Sequence, residues 1–194
     1  MTARTPLVVV LAGPNGAGKS TSASSLLRGA LAVEEFVNAD TIALGLSAYR
    51  PDAAAVAAGR VMLDRLRFLA REHRDFAFET TLSGRGHTRW LWSLREAGYR
   101  VHLIFLALPT PDLAVARVQA RVHGGGHDVP EAVVRRRFRA GLRNFVQLYS
   151  SIANSWQIYD NSSFRGPRLI AARTLGGETT IDDPTAWVRI QEVQ

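Results

Sequence analysis

The segment Gly13-Pro14-Asn15-Gly16-Ala17-Gly18-Lys19-Ser20 carries the densest chemistry in the chain and matches G-x-x-x-x-G-K-[ST] in full. A buried-strand pattern, Leu7-Val8-Val9-Val10-Leu11-Ala12, precedes it, and a helical pattern from about Lys19 to Arg28 follows. In that context the glycines let successive backbone N–H groups curl around a phosphate without Cβ clashes. The helix N-terminus adds its positive dipole end. Lys19 places a point charge near the β- and γ-phosphates, and the Ser20 hydroxyl suits Mg²⁺. Lys19 is the only lysine among 24 basic residues; the other 23 are arginine. Nucleotide-binding candidates are therefore Gly13, Pro14, Asn15, Gly16, Ala17, Gly18, Lys19, Ser20 and Thr21.

A phosphate loop selects a nucleotide and leaves the reaction open. A small GTPase needs Asn-Lys-x-Asp, which a chain with one lysine in its phosphate loop cannot supply. Leu82-Ser83-Gly84-Arg85-Gly86 shares only its first three letters with the ABC signature. The most apolar later strand, Val101 to Leu108, ends in Leu-Pro with no acid for a water-bridged Mg²⁺. Carboxylates end the second and third candidate strands instead, Asp40 in Val37-Asn38-Ala39-Asp40 and Glu79 in Phe78-Glu79-Thr80-Thr81. That arrangement predicts a small kinase. Asp40, 21 residues after Lys19, can accept the proton of an attacking hydroxyl, or it can cap a helix. Glu79 can organise Mg²⁺-bound water, hold the acceptor, or bond nearby backbone.

Arginines form a further group: Arg121, then Arg135, Arg136, Arg137, Arg139 and Arg143 after the Gly124-Gly125-Gly126 run. Arg136, Arg139 and Arg143 share one helical face. On a closing lid, two or three of these six could neutralise charge on a transferring phosphoryl group, while the others are solvated. His123 and His127 sit at i and i+4 around glycines, with no third ligand to complete a metal site.

The elements that must position these residues alternate strand and helix throughout. Pro51 opens a helix to about Glu72 with Val56, Met62 or Leu63, Leu66 and Leu69 or Ala70 along its stripe. Phe76–Thr80 is a strand, a helix from Arg89 to Ala97 ends at Gly98, and Tyr99–Leu108 is a strand. Thr110-Pro111 caps a helix to about Val122, and Asp128 has capping-box spacing to Glu131 before the arginine-rich helix. That helix carries Val134, Phe138, Leu142, Phe145 and Tyr149 as its apolar stripe. Trp156–Asp160 and Arg168–Ala172 read as two last strands, and Asp183-Pro184 starts a terminal helix. The expected fold class is α/β, a three-layer sandwich of the P-loop NTPase type: a mostly parallel sheet with helices on both faces. One domain spans 1–194, with a lid at about 121–145.

Composition sets the outer limits. With 194 residues, 46% hydrophobic and 21% charged, the chain is no disordered segment, collagen repeat or coiled-coil rod. Absence of cysteine excludes disulfides, thiolate catalysis and cysteine-ligated zinc. The longest apolar run, Val101 to Pro109, contains His102 and is far short of a membrane span, and no signal-peptide pattern follows Met1; a cytoplasmic location is expected. A net charge of +7 favours anionic, phosphate-bearing partners.

Four blocks in order resemble the zeta toxin family of P-loop kinases: Ala12–Thr21, Val37–Asp40, Phe78–Gly84, and Gly125–Pro130 with Arg136, Phe138, Arg139 and Asn144. The last block is similar to a shorter, stand-alone branch. The resemblance implies an ATP- and Mg²⁺-dependent kinase acting on a sugar hydroxyl of UDP-N-acetylglucosamine, and in many members a small antitoxin partner. It further implies Asp40 as base, Lys19 and Ser20 as nucleotide and metal ligands, and Glu79 and Thr80 as acceptor contacts. Arg121, Arg136 and Arg139 become the lid arginines. Two other readings stand beside it. One is a nucleic-acid-directed P-loop enzyme gripping phosphate with the arginine-rich helix, against which no aromatics interleave with the arginines. The other is a nucleotide-binding switch with little turnover.

Overall fold

A computed structural model describes residues 4–126 and 128–192. Among the described residues seven strands form one sheet in the order β2-β3-β1-β4-β5-β6-β7. They are β1 (Leu7–Ala12), β2 (Phe36–Val37), β3 (Phe76–Thr80), β4 (Arg100–Ala107), β5 (Ser155–Asp160), β6 (Arg168–Arg173) and β7 (Thr179–Ile181). The first five in spatial order run parallel, β6 pairs antiparallel with β5, and β7 pairs antiparallel with β6. Val8, Val9, Val10, Leu11 and Ala12 are all fully buried, so both faces of the central strand are covered. This is the expected P-loop α/β sandwich.

Register sets the site. Leu11 lies beside Glu79 of β3 and Ile104 of β4, and Ala12 beside Thr80 and Phe105. The phosphate loop and the acidic end of β3 therefore leave the sheet at one edge, where ligands bind in open α/β sheets. Aromatic contacts tie down one layer: Phe76 and Phe78 pack on Trp90 of α4 (Thr88–Glu96), and Phe105 and Trp156 pack on Phe145.

Helix α1 (Lys19–Ser24) continues as a π-helical turn over Ser25–Ala30. The long α3 (Pro51–Arg71) buries Ala58, Met62, Leu66 and Leu69, whereas Val56 is exposed, a correction to the expected stripe. Thr110 caps α5 (Pro111–His123) through the Leu113 N–H, and Asp183 caps α8 (Pro184–Gln191) through the Ala186 N–H. Both caps follow the sequence reading. The box expected at Asp128 is not formed: Pro130 holds the N-cap position of α6 (Glu131–Asn144) and accepts the Val133 N–H through its carbonyl. The stripe Val134, Phe138, Leu142, Phe145 and Tyr149 is buried as expected, and α6 runs on through a π-helical turn, Phe145–Tyr149, into α7 (Ser150–Ile152).

The second strand ends before Asp40, the residue at which the sequence pattern ends it. Pairing stops at Val37, and α2 (Ala39–Leu46) follows, capped by Asn38 where the sequence offers Asp40 as a helix cap. Strand β7 was not expected at all. Among the described residues no helix is long and apolar enough to cross a membrane.

Candidate phosphate and acceptor site

Two glycines show why the loop sequence is what it is. Gly13, at φ +142°, passes so close to β4 that a Cβ would lie 2.3 Å from the Leu106 carbonyl oxygen. Gly18 is the N-cap of α1 in the left-handed region, at φ 78° and ψ 22°, conformations that side-chain-bearing residues avoid. From below, the buried Asn161, just past β5, braces the loop by donating its Nδ2 to the Ala17 carbonyl at 2.7 Å.

Lys19 is buried and donates to the carbonyls of Gly13 and Pro14, each at 2.9 Å. Its ammonium lies 3.6 Å from a carboxylate oxygen of Glu79. Burial pushes its pKa below the ordinary lysine value, and the Glu79 and Asp40 charges oppose that fall, while Arg121 adds to it. Lys19 thus feels a carboxylate from β3, one from α2 and a guanidinium from α5.

Glu79 is the hub. Its Oε2 accepts from the Ser20 hydroxyl at 2.8 Å and from Asn38 Nδ2 at 2.7 Å. Three elements meet there: the first turn of α1, the end of β3 and the start of α2. Glu79 is therefore bound to the phosphate-loop serine, not to its own backbone. Thr80 instead turns away locally, its hydroxyl oxygen accepting the Leu82 N–H at 3.1 Å.

Asp40 is not the cap of α2. Asn38 is, its Oδ1 accepting the N–H groups of Asp40 at 2.7 Å and of Thr41 at 3.2 Å. Asp40 is the second residue of the helix, with an exposed side chain, near enough to Lys19 to influence its charge. Asn38, which sequence reading passed over, links the two carboxylates: its amide bonds Glu79 and its oxygen starts the helix that carries Asp40. Its place as a polar residue between an apolar pair and a carboxylate was the available signal.

The arginines divide unexpectedly. Arg137 reaches the phosphate loop, 3.4 Å from Asn15 Oδ1. Arg135 is committed to Asp112 at 2.6 Å and Glu131 at 2.8 Å. Arg136 and Arg139 are exposed and make no ion pair among the described residues. At 100° per residue they lie roughly 100–160° around α6 from Arg137, away from the loop that it touches. Gly141 shows how the helix is turned: a Cβ there would be 2.5 Å from the Thr81 carbonyl oxygen, so the Arg137–Gly141 edge faces the site. Arg117, also passed over, donates to the carbonyls of Asn161 and Ser162 at 2.7 Å each and pins α5 beside the loop. Gly124, Gly125 and Gly126 close the end of α5 with N–H bonds to the carbonyls of Ala120, Val122 and Arg121. His123 bonds the Gln119 carbonyl of its own helix, and His127 lies outside the described residues.

The family model described as AAA domain matches residues 8–148, from the first strand to the π-helical turn after α6. The chain belongs to this AAA domain family. An uncharacterized protein of Haemophilus influenzae is 33% identical over 126 residues, 65% of this chain and 88% of that protein. The structure of AvrRxo1-ORF1:-ORF2 with ATP shares the fold at a TM-score of 0.74 and 17% identity, covering 100% of this AAA-family chain and 65% of the other. The chain thus spans about two thirds of that protein's length. A structure of the PezAT chromosomal toxin–antitoxin system of Streptococcus pneumoniae matches at a TM-score of 0.68 and 17% identity, over 100% of this chain and 79% of the other. At the level of the fold, these neighbours agree with the resemblance to zeta toxin P-loop kinases.

Proposed function

We propose that the protein is an ATP-dependent phosphotransferase that moves the γ-phosphate to an alcohol hydroxyl of a small molecule. The observation that supports this most directly is the joint around Glu79, which ties Ser20 to Asn38 and starts the helix bearing the exposed Asp40. Nucleotide ligands and a free carboxylate are thereby brought to one edge of the sheet. In this reading Gly13 to Thr21 wrap the ATP phosphates, and Lys19 transfers its bonds from the loop carbonyls to phosphate oxygen. Asp40 takes the proton of the attacking hydroxyl. The cover over the site is the 121–145 segment, with Arg121 and Arg137 turned toward the phosphates.

The oxygen donors of Ser20 and Glu79, 2.8 Å apart, suit a hard cation of the Mg²⁺ type held jointly with phosphate and water. When bound, Mg²⁺ would supply charge neutralisation between β- and γ-phosphate. Among the described residues no group of three or more His, Asp or Glu side chains could hold a metal alone.

An alcohol acceptor is what Asp40 supports. The finer identification, a UDP-sugar such as UDP-N-acetylglucosamine, comes from the zeta toxin resemblance, as does a small antitoxin-like protein partner. The test is equilibrium dialysis with ATP and incubation with γ-labelled ATP and Mg²⁺, on wild-type protein and Lys19→Ala. Loss of ATP binding and of label transfer in the variant is expected, since no other lysine can substitute. Unchanged binding together with unchanged turnover would overturn the reading.

A further inference from the structure

Among the described residues the Glu79 carboxylate has three side-chain partners, and two of them belong to the phosphate loop. The Lys19 ammonium lies 3.6 Å from one oxygen, and the other oxygen accepts from Ser20 at 2.8 Å and from Asn38 at 2.7 Å. On the kinase reading above, Lys19 and Ser20 are nucleotide ligands, so ATP draws both away from Glu79. Asn38 has no such duty. Its amide is the neutral, buried donor that still faces Glu79 when the loop is occupied.

The same amide starts the helix of Asp40. Strand pairing places Val37 beside Phe78, one residue before Asn38 and Glu79. From there Asn38 Oδ1 accepts the N–H groups of Asp40 and Thr41, and the Asn38 backbone carbonyl accepts the Ile42 N–H at 3.1 Å. Two N–H donors on one side and a carboxylate on the other leave one orientation of the amide that satisfies both. A planar amide cannot turn one end without turning the other. One rigid, buried group therefore sets both the place of Glu79 and the start of α2.

We propose that Asn38 is a positioning residue for the phosphoryl transfer. Its amide holds Glu79 once Lys19 and Ser20 turn to the nucleotide, and it keeps Asp40 in register with the loop. This rests on the kinase reading and adds to it a residue that acts through Glu79 and Asp40. Misplacing a reacting group by about 1 Å costs on the order of 10²-fold in rate, which is the scale of control such a residue can exert.

The experiment separates the two ends of the amide. Asn38→Ser keeps an oxygen for the cap, where serine and asparagine rank together, but is too short to reach Glu79. Asn38→Asp keeps the cap and the shape and sets an acceptor against an acceptor. Each variant is measured for melting temperature, for ATP affinity by equilibrium dialysis without Mg²⁺, and for turnover. Turnover is loss of label from γ-labelled ATP with Mg²⁺, to UDP-N-acetylglucosamine or to water. Asn38→Ser is expected to melt within about 2 °C of wild type. It should bind ATP within about twofold of wild type, with kcat lower by about 10–100-fold. Asn38→Asp should lose at least as much kcat. In a Glu79→Ala background, adding Asn38→Ser should cost less than about threefold more, because the two side chains act as one unit. Wild-type kcat in either variant, a fall in ATP affinity as large as that in kcat, or a full further loss in the Glu79→Ala background overturns the inference and leaves the kinase reading standing. So does a large fall in melting temperature in both variants, which would make Asn38 a structural residue. If the wild-type protein leaves γ-labelled ATP intact with both acceptors, the kinase reading falls and this inference falls with it.

Discussion

Asn144 Nδ2 donates to the carbonyl of Leu82 at 2.7 Å, joining positions 62 residues apart in the buried interior. Leu82 is fully buried and left-handed, at φ +53°, a conformation that costs a non-glycine residue about 1–3 kcal/mol. The turn after Glu79 and Thr80 is thus held in shape by a helix, with Tyr149 adding a second bond to the Gly84 carbonyl at 2.8 Å. Asn144→Ala leaves the Leu82 carbonyl without its partner, an expected loss of about 1–3 kcal/mol of stability. Because that turn follows Glu79 by three residues, transfer should fall while ATP affinity holds. Urea unfolding together with nucleotide dialysis on one preparation checks both; a variant with wild-type stability would show the bond to be idle.

Asp40→Asn separates two roles that the sequence left open. Asn38 caps α2, so the substitution should leave the melting temperature within about 1–2 °C of wild type, the scale of a surface change. Transfer should drop by ~10²–10⁴-fold, as for loss of a positioned general base. A large fall in melting temperature with the rate retained would return Asp40 to a structural role.

Much of this was legible because it is local. The phosphate loop is eight consecutive residues, and the Thr110 and Asp183 caps are decided within one turn each. By local pattern Asp40 is a strand end, because Phe36-Val37 continues smoothly into Asn38; only the Asn38 side chain, bonded to Glu79 from another strand, shows where pairing stops. The roll of α6 was beyond local pattern. Arg136, Arg139 and Arg143 do share a face, but which face meets the loop depends on Gly141 pressing against Thr81, a contact between distant segments. Spacing alone turns Val56 inward, yet α3 buries the small Ala58 near it and leaves Val56 exposed.

His102 predicts a pH dependence of stability. Its Nδ1 meets the Ser155 hydroxyl at 2.8 Å, while Nε2 is buried with no hydrogen-bond partner among the described residues. Burial pushes its pKa below the usual 6.5, with the neighbouring Gln157 side chain opposing that fall more weakly. Where the folded pKa lies below the unfolded one, the unfolded chain binds the extra proton. The contribution is therefore complete above about 6.5 and is lost as pH falls toward the depressed folded value. Melting temperature should decline as pH is lowered from about 7 to about 5, and less steeply in His102→Asn. Equal slopes in the two proteins would exclude His102 as the source.

Arg137 and Arg136 are neighbours in sequence and about 100° apart around α6, which makes them a sharp test of the site. Arg137 lies 3.4 Å from Asn15 of the phosphate loop, and Arg136 points to solvent. If the guanidinium of Arg137 answers charge that develops on the transferring group, Arg137→Ala should lower kcat by ~10²–10³-fold, as for removal of one preorganised donor. The affinity for ATP should weaken far less, because the partner charge grows mainly in the transition state. Arg136→Ala and Arg139→Ala should leave kcat nearly unchanged. A nucleic-acid grip predicts a different pattern: each of the three substitutions would reduce oligonucleotide affinity and flatten its salt dependence, with ATP turnover spared. Single-turnover transfer and salt-dependent oligonucleotide binding, measured on the same three variants, distinguish the two. A loss of kcat in Arg136→Ala or Arg139→Ala equal to that in Arg137→Ala would mean that α6 turns its other face to the phosphates during the reaction.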